Sequence, residues 1–111
     1  MPELRFQVQG SAPSPYDVTF VNRGASNISA YCTCPAGENG QYCKHRFAIL
    51  NGDSKAIVSG NEHEVPLVVE WLTGSDIEAA LKELSVAERE LERAKKEVSR
   101  AKKLVAQAMR A

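Results

Sequence analysis

The stretch YCTCPAGENGQYCKHRF, residues 31–47, decides the fold. It places Cys32 and Cys34 one residue apart and, after eight further residues, Cys43 and His45 with the same spacing. Alternate residues of a strand point to one face, so both sulfurs of the first pair can reach a single cation where Pro35 turns the chain away. Side chains two apart in a helix body diverge, so the second pair can converge only at the junction between a loop and a helix.

These four side chains make a complete ligand set for zinc. Three thiolates and one imidazole fill a tetrahedral shell and leave no position for water or substrate, which is typical of a structural site. Sulfur ligands favour zinc over magnesium or calcium, although iron also accepts such a site. The sequence therefore predicts one structural zinc ion held by Cys32, Cys34, Cys43 and His45.

Two other interpretations of these residues are weaker. Three unrelated buried cysteines beside a surface histidine would explain them, but four such ligands at these spacings rarely coincide. A catalytic pair of Cys43 and His45 is disfavoured because catalytic pairs usually converge from distant segments, and no Asn or Asp is obviously placed to orient the histidine. The other histidine, His63, lies between glutamates and is expected to be solvated.

The order C-x-C, a short loop and C-x-H resembles the SWIM zinc finger. Tyr-Cys-Thr-Cys-Pro, Cys-Lys-His and the apolar run at 47–50 carry the resemblance, which covers roughly 27–50. Arg46 is a departure, since a small or aliphatic residue often follows the histidine in that family. The resemblance implies a ββα zinc unit and a role in DNA binding or protein interaction.

The residues before the motif alternate between apolar and polar, the pattern of strands with one buried face. Three such strands are predicted, around 4–8, 16–20 and 28–32, which suggests a small antiparallel sheet. Residues 35–42 are expected to form a loop. A short helix should then carry Cys43, Phe47 and Leu50 on one face and end at Asn51-Gly52.

Two further short elements are predicted after this helix. Residues 56–59 can add a strand, and Pro66 can occupy the first turn of a short helix that runs to Leu72, with Trp71 as a core anchor. From Ser75 onward the chain contains no Gly or Pro and is rich in helix formers, so one long helix is expected. Ser75 and Glu78 have the spacing of a capping box.

The fold class predicted from these segments is α+β: a small antiparallel sheet with a ββα zinc-finger unit, then a long coiled-coil-like helix. Three regions are expected: a zinc-binding domain at 1–60, a short helix and connector at 61–75, and a long amphipathic helix at 76–111. That helix, about 50 Å long, exceeds what a globular part of this size can cover.

The long helix keeps a heptad rule for five heptads, with a large aliphatic residue at one seam position and alanine at the other. The seam could pack on the protein's own core, but only its first two turns are expected to do so. We therefore predict a homodimer or a helical protein partner through 76–111. The seam consists of Ile77, Ala80, Leu84, Ala87, Leu91, Ala94, Val98, Ala101, Val105 and Ala108.

The orientation of helix pairing is left open by the charges. The helix is acidic early and basic late, which favours antiparallel pairing, whereas Glu90 opposite Lys95 and Glu97 opposite Lys102 would favour a parallel dimer. Alanine seams suit close antiparallel helices, and we favour that orientation.

The overall charge does not favour binding to nucleic acid or to a membrane, because the charges of fourteen basic and fourteen acidic side chains cancel. Direct DNA binding is the alternative function and would use basic residues near the zinc, with Tyr31 or Tyr42 available for stacking. Those basic residues are Arg23, Lys44, Arg46 and Lys55.

The remaining expectations concern activity and location. The sequence lacks paired carboxylates, a nucleophile motif and a phosphate loop, so an accessory or regulatory factor is expected and not an enzyme with a small-molecule substrate. No stretch has the length and apolar character of a signal peptide or a membrane span. A cytoplasmic location is therefore predicted.

Overall fold

The computed structural model describes residues 2–110 and shows an α+β fold, as predicted. A three-stranded antiparallel sheet of order β1-β2-β3 is followed by helices, the last of which is long. The strands are β1 (Glu3–Val8), β2 (Tyr16–Asn22) and β3 (Ile28–Cys32). The helices are α1 (Pro35–Glu38), α2 (Lys44–Leu50), α3 (Val65–Trp71), which follows a 3-10 turn at Glu62–Glu64, and α4 (Asp76–Ala108).

One face of the sheet forms the core, as the alternating sequence requires. Phe6 on β1 lies opposite Val18 on β2, and both side chains are buried. The rings of Phe6 and Phe20 meet edge to face with centroids 6.0 Å apart. Burying a side chain of this size contributes about 1.5–3 kcal/mol, so this pair anchors the sheet.

Helix α2 begins and ends where the sequence predicts. Asn51 caps its C-terminus, and Gly52 follows with a φ of +84°, a conformation that glycine adopts without steric cost. The buried face was predicted wrongly at one position. Ile49 and Leu50 enter the core, whereas Phe47 is half-buried and packs its ring 4.3 Å from the ring of Tyr42.

Helix α1 replaces part of the loop predicted between Cys34 and Cys43. Pro35 stands at its first position, where its fixed φ suits a helix and its missing N–H costs nothing. Cys34 is the N-cap, and its sulfur accepts a hydrogen bond from the Gly37 N–H. A cysteine in this role is not among the usual capping residues, so the helix was not predicted.

The strand predicted at 56–59 is also wrong. A single bridge joins Val8 to Ile57, flanked by the bonds from Gln9 N to Ala56 O at 2.9 Å and from Val58 N to Gln7 O at 2.8 Å. The pairing stops there because the Ser59 hydroxyl, and not a backbone carbonyl, accepts the Gln7 N–H.

Helix α3 adds a second layer to the core. It runs from Val65 to Trp71, with Pro66 in its first turn as predicted, and Leu72 follows as the C-cap. Val65, Val68 and Leu72 are buried. Trp71 is only half-buried, so the prediction that it anchors the core was wrong. Residues 61–75 therefore provide apolar packing as well as a connection.

The chain divides into two compact units, one ending at Glu78 and the other beginning at Ala79. The second unit is the remainder of α4, and every residue from Lys82 to Arg110 is exposed. None of the helices within residues 2–110 is both long enough and apolar enough to cross a membrane.

The start of α4 resembles the predicted capping box with one change. The Ser75 hydroxyl accepts the Glu78 N–H at 3.1 Å, as expected. The Glu78 carboxylate, however, accepts the Gly74 N–H and not that of Ser75. The reason is that the Ser75 N–H already donates to Leu72 O at the end of α3.

Candidate metal centre

The four predicted ligands lie at the ends of three elements that meet at one point. Cys32 is the last residue of β3, Cys34 caps α1, Cys43 caps α2, and His45 lies in the first turn of α2. The convergence of Cys43 and His45 at a helix start is as predicted. All four side chains are buried.

Thr33 fixes the orientation of the first cysteine pair. Its backbone N–H donates to Asp17 O at 3.0 Å, and its hydroxyl accepts the Asp17 N–H at 2.9 Å. These bonds continue the pairing of β2 with β3 by one residue past Cys32. Thr33 is exposed while both neighbouring cysteines are buried, so the sulfurs of the C-x-C pair share the inner face.

The ligand atoms are as close together as a shared ion requires. The Sγ atoms of Cys34 and Cys43 are 3.4 Å apart. His45 Nδ1 lies 3.6 Å from Cys43 Sγ and 3.8 Å from Cys32 Sγ. All four ligand atoms fall within 4.8 Å of one another.

These separations match a tetrahedral zinc site. Zinc–sulfur bonds of about 2.3 Å and zinc–nitrogen bonds of about 2.0 Å place neighbouring sulfurs about 3.8 Å apart, and a sulfur and a nitrogen about 3.5 Å apart. Three of the four ligand atoms are sulfurs. Thiolate sulfur favours zinc, whereas magnesium and calcium prefer oxygen ligands. The residues therefore fit one structural zinc ion with no open coordination position.

Backbone amides support the sulfurs as thiolates. Gly37 N donates to Cys34 Sγ at 3.3 Å, and Cys34 N donates to Cys32 Sγ at 3.5 Å. Hydrogen bonds to a charged sulfur favour the charged form over the thiol. Each bond also holds its sulfur in place before a metal arrives.

The thiols differ in their readiness to ionise. Burial raises the pKa of Cys32 to about 12, and the neighbouring Cys34 and Cys43 side chains add to this effect. Burial also opposes ionisation of Cys43, but hydrogen bonding from the Arg46 backbone and from the Cys34, Cys32 and His45 side chains lowers its pKa to about 6. Of these two sulfurs, Cys43 therefore ionises first, and a bound cation would replace the proton of Cys32.

The orientation of His45 makes Nδ1 the ligand atom. Nδ1 faces the sulfurs, and when it binds a metal the proton of the neutral ring lies on Nε2. Nε2 is buried with no hydrogen-bond partner within residues 2–110. The ring instead packs against Tyr16, with centroids 5.0 Å apart and ring planes tilted by 45°, and this contact holds the imidazole in position.

Comparison with known families agrees with this geometry. A Cys₃His cluster on a sheet edge and two helix starts defines a structural zinc-finger module. Residues 6–51 match the family model for the SWIM zinc finger, and the Cys₃His cluster within this segment is consistent with one structural zinc ion. The match begins at Phe6, well before the stretch that carried the resemblance. No curated protein and no solved structure matches the chain.

The basic residues proposed for DNA contact have different surroundings. Arg46 is half-buried and donates to Ala30 O at 3.0 Å and to Gln41 O at 2.7 Å. Its guanidinium therefore ties α2 to β3 and to the loop before Cys43. Lys44 and Lys55 are exposed.

Arg23 and Tyr31 form an exposed pair on the hairpin of β2 and β3. Arg23 donates to Ser29 Oγ at 2.7 Å and to the Tyr31 hydroxyl at 3.0 Å. Hydrogen bonding from Ser29 and Arg23 lowers the pKa of Tyr31. His63 is exposed, as predicted.

Sequence reasoning missed three residues that shape the site: Thr33, Tyr16 and Gly37. Gly37 comes so close to Cys32 that a Cβ at this position would lie 2.6 Å from Cys32 O. The signal in the sequence was the order Cys-Pro-x-Gly at 34–37, which starts a helix immediately after a ligand.

Proposed function

We propose that the protein is a zinc-stabilised interaction module whose α4 helix docks on another helix, and that it acts by binding and not by catalysis. The observation that carries the proposal is a row of large aliphatic side chains that α4 leaves exposed. Leu84, Leu91, Val98 and Val105 are 37%, 55%, 54% and 58% exposed, and they recur every seven residues.

A repeated apolar row on an exposed helix is typical of an association surface. Isolated exposed leucines are common. In the seam, however, the first heptad position (a: 77, 84, 91, 98 and 105) is always a large aliphatic residue and the fourth (d: 80, 87, 94, 101 and 108) is always alanine, so they form one continuous stripe. The seam begins with Ile77, which is half-buried in the first turn, and its later members are exposed. A second helix placed along this stripe would remove the apolar surface from water.

The zinc unit supplies the stable base of this arm. A small sheet and three short helices provide little core, whereas a structural zinc ion contributes on the order of 10 kcal/mol. A closed ligand shell has no position for a substrate, which supports a binding role for the module.

Analytical ultracentrifugation of two matched variants tests the proposal. Val98→Glu places a charge in the seam, and Val86→Glu makes the same change at an exposed valine on the opposite face of α4. We expect Val98→Glu to weaken association at least about tenfold, since a lone charge resists burial, and Val86→Glu to leave it unchanged. Equal effects of the two variants would contradict a seam-based interface.

Direct DNA binding is a second candidate, favoured by the exposed pair of Arg23 and Tyr31. The pair offers one phosphate-binding group beside one aromatic face, and Lys44 and Lys55 are exposed as well. Anisotropy of labelled single- and double-stranded DNA, titrated with zinc-loaded protein at two salt concentrations, tests this function. Salt-sensitive binding that Arg23→Ala weakens would support it, and no binding at low salt would contradict it.

A further inference from the structure

We infer that the partner of α4 is a second copy of α4 in antiparallel orientation, in a register that places Leu91 opposite Ala94 of the second copy. The inference rests on the proposed function and specifies its partner. It follows from the volumes of the exposed seam side chains and from the distribution of charge along the helix.

The volumes favour antiparallel pairing because of how the layers of the interface are formed. In an antiparallel pair, an a position of one helix faces a d position of the other. With Leu91 opposite Ala94, every layer in the exposed part of the seam joins one large residue to one alanine. The other layers are Leu84 with Ala101, Val98 with Ala87, and Val105 with Ala80.

A parallel dimer in register would give layers of unequal thickness. Leu91 would face Leu91 and Ala94 would face Ala94, and the same alternation would recur along the seam. Two straight helices keep one separation, so a distance that accommodates paired leucines leaves gaps between paired alanines. Close packing therefore favours layers of constant volume, which only the antiparallel arrangement provides.

The charge distribution makes α4 complementary to a second copy of α4 that runs in the opposite direction. Residues 76–92 contain six acidic and two basic side chains, whereas residues 93–110 contain one acidic and seven basic side chains. Antiparallel pairing places each acidic half beside a basic half, whereas parallel pairing places like halves together. These side chains are exposed beyond the first turns of the helix and are available to a partner.

The charges next to the seam do not decide the orientation in this register. Glu88 would lie near Lys95 of the second copy, which is favourable, and Glu90 near Glu97 of the second copy, which is unfavourable by a similar amount. These contributions offset each other. The net charge of the two halves and the layer volumes therefore determine the preference.

Disulfide trapping between two different variants tests orientation and register together. Ala80→Cys protein is mixed with Val105→Cys protein in the presence of zinc, which keeps the three native thiols bound. We expect a rapid cross-link between the two variants and none within either variant alone, because the antiparallel register separates like positions by about 37 Å. Wild-type protein treated identically controls for the native cysteines.

The outcomes separate the inference from the function on which it rests. Cross-links that form within each variant alone would overturn the antiparallel orientation while leaving self-association intact. A monomeric mass for the wild-type protein at every concentration would overturn both self-association and the inferred partner, and would direct attention to a helix of another protein.

A volume exchange provides an independent measurement of the register. Leu91→Ala would leave two alanines in a layer, and Ala94→Leu would force two leucines together, so each is expected to weaken dimerisation about tenfold or more. The double variant restores one large and one small residue in each central layer. We expect its dissociation constant to return to within about threefold of wild type, whereas additive losses would overturn this register.

Discussion

Gly37 of α1 lies against the zinc ligand Cys32. A Cβ at this position would lie 2.6 Å from Cys32 O and 2.8 Å from Cys32 Cβ. The backbone of Cys32 is held in β3 and cannot easily move away. We expect Gly37→Ala to displace α1 or Cys32. Overpacking of this kind typically costs about 1–3 kcal/mol, which corresponds to a roughly 5- to 150-fold loss of zinc affinity.

Competition with a chromophoric zinc chelator measures this loss. Glu38→Ala, at the next and exposed position of α1, is the matched control and should keep wild-type affinity. If Gly37→Ala also kept wild-type affinity, the close approach of α1 to β3 would not matter for the site.

Individual ligands were predictable because metal coordination constrains residue type and spacing directly. Cys32, Cys34, Cys43 and His45 needed only the period of a strand and the geometry of a helix start. The role of Arg46 was not predictable. It donates to the backbone carbonyls of Ala30 on β3 and of Gln41 in the loop, and the identity of a residue does not show that its carbonyl will bind an arginine. A basic residue beside a zinc ligand looks the same in sequence whether it meets phosphate or backbone.

The start of α4 depends on one buried hydroxyl. Ser75 Oγ accepts the Glu78 N–H and relieves one of the unpaired amides of the first turn. We expect Ser75→Ala to lower the free energy of unfolding by about 1 kcal/mol, as the loss of an N-cap typically does. Urea unfolding, followed together with amide exchange at residues 77–79, would measure the effect.

Ser85→Ala is the matched control in the body of the same helix. Ser85 is exposed, and alanine is the better helix former there, so this variant should be neutral or slightly stabilising. An equal loss of stability in both variants would show that the capping bond makes no special contribution.

Elements with a strong period were predicted well, and those held by single contacts were not. The three strands and α4 repeat their pattern over many residues, and the C-terminal end of α2 and the start of α4 carry ordinary capping signals. Helix α1 depends on a cysteine cap and a proline, and the segment at 56–59 depends on whether a carbonyl or the Ser59 hydroxyl meets β1. Local sequence carries too little information to decide such contacts.

The whole molecule combines two units that depend on different sources of stability. The unit ending at Glu78 depends on a small apolar core and on four zinc ligands, whereas the helix beyond it contains no zinc ligand among its described residues. Strong helix formers and helix pairing would sustain that second unit. The two units should therefore respond differently when zinc is removed.

We expect a chelator to unfold the zinc unit and to leave α4 helical and self-associated. Loss of about 10 kcal/mol of zinc binding is comparable to the entire stability of an ordinary domain, so the sheet and the surroundings of the half-buried Trp71 should be lost. Near-ultraviolet circular dichroism and tryptophan fluorescence report this loss, while the helical signal at longer far-ultraviolet wavelengths should largely persist.

Sedimentation in the same chelator should still give a dimer mass, because the seam residues that would form the interface lie in α4 and hold no metal. Dissociation to monomers on zinc removal would instead place part of the interface on the zinc unit, and re-addition of zinc should then restore the dimer together with the fluorescence.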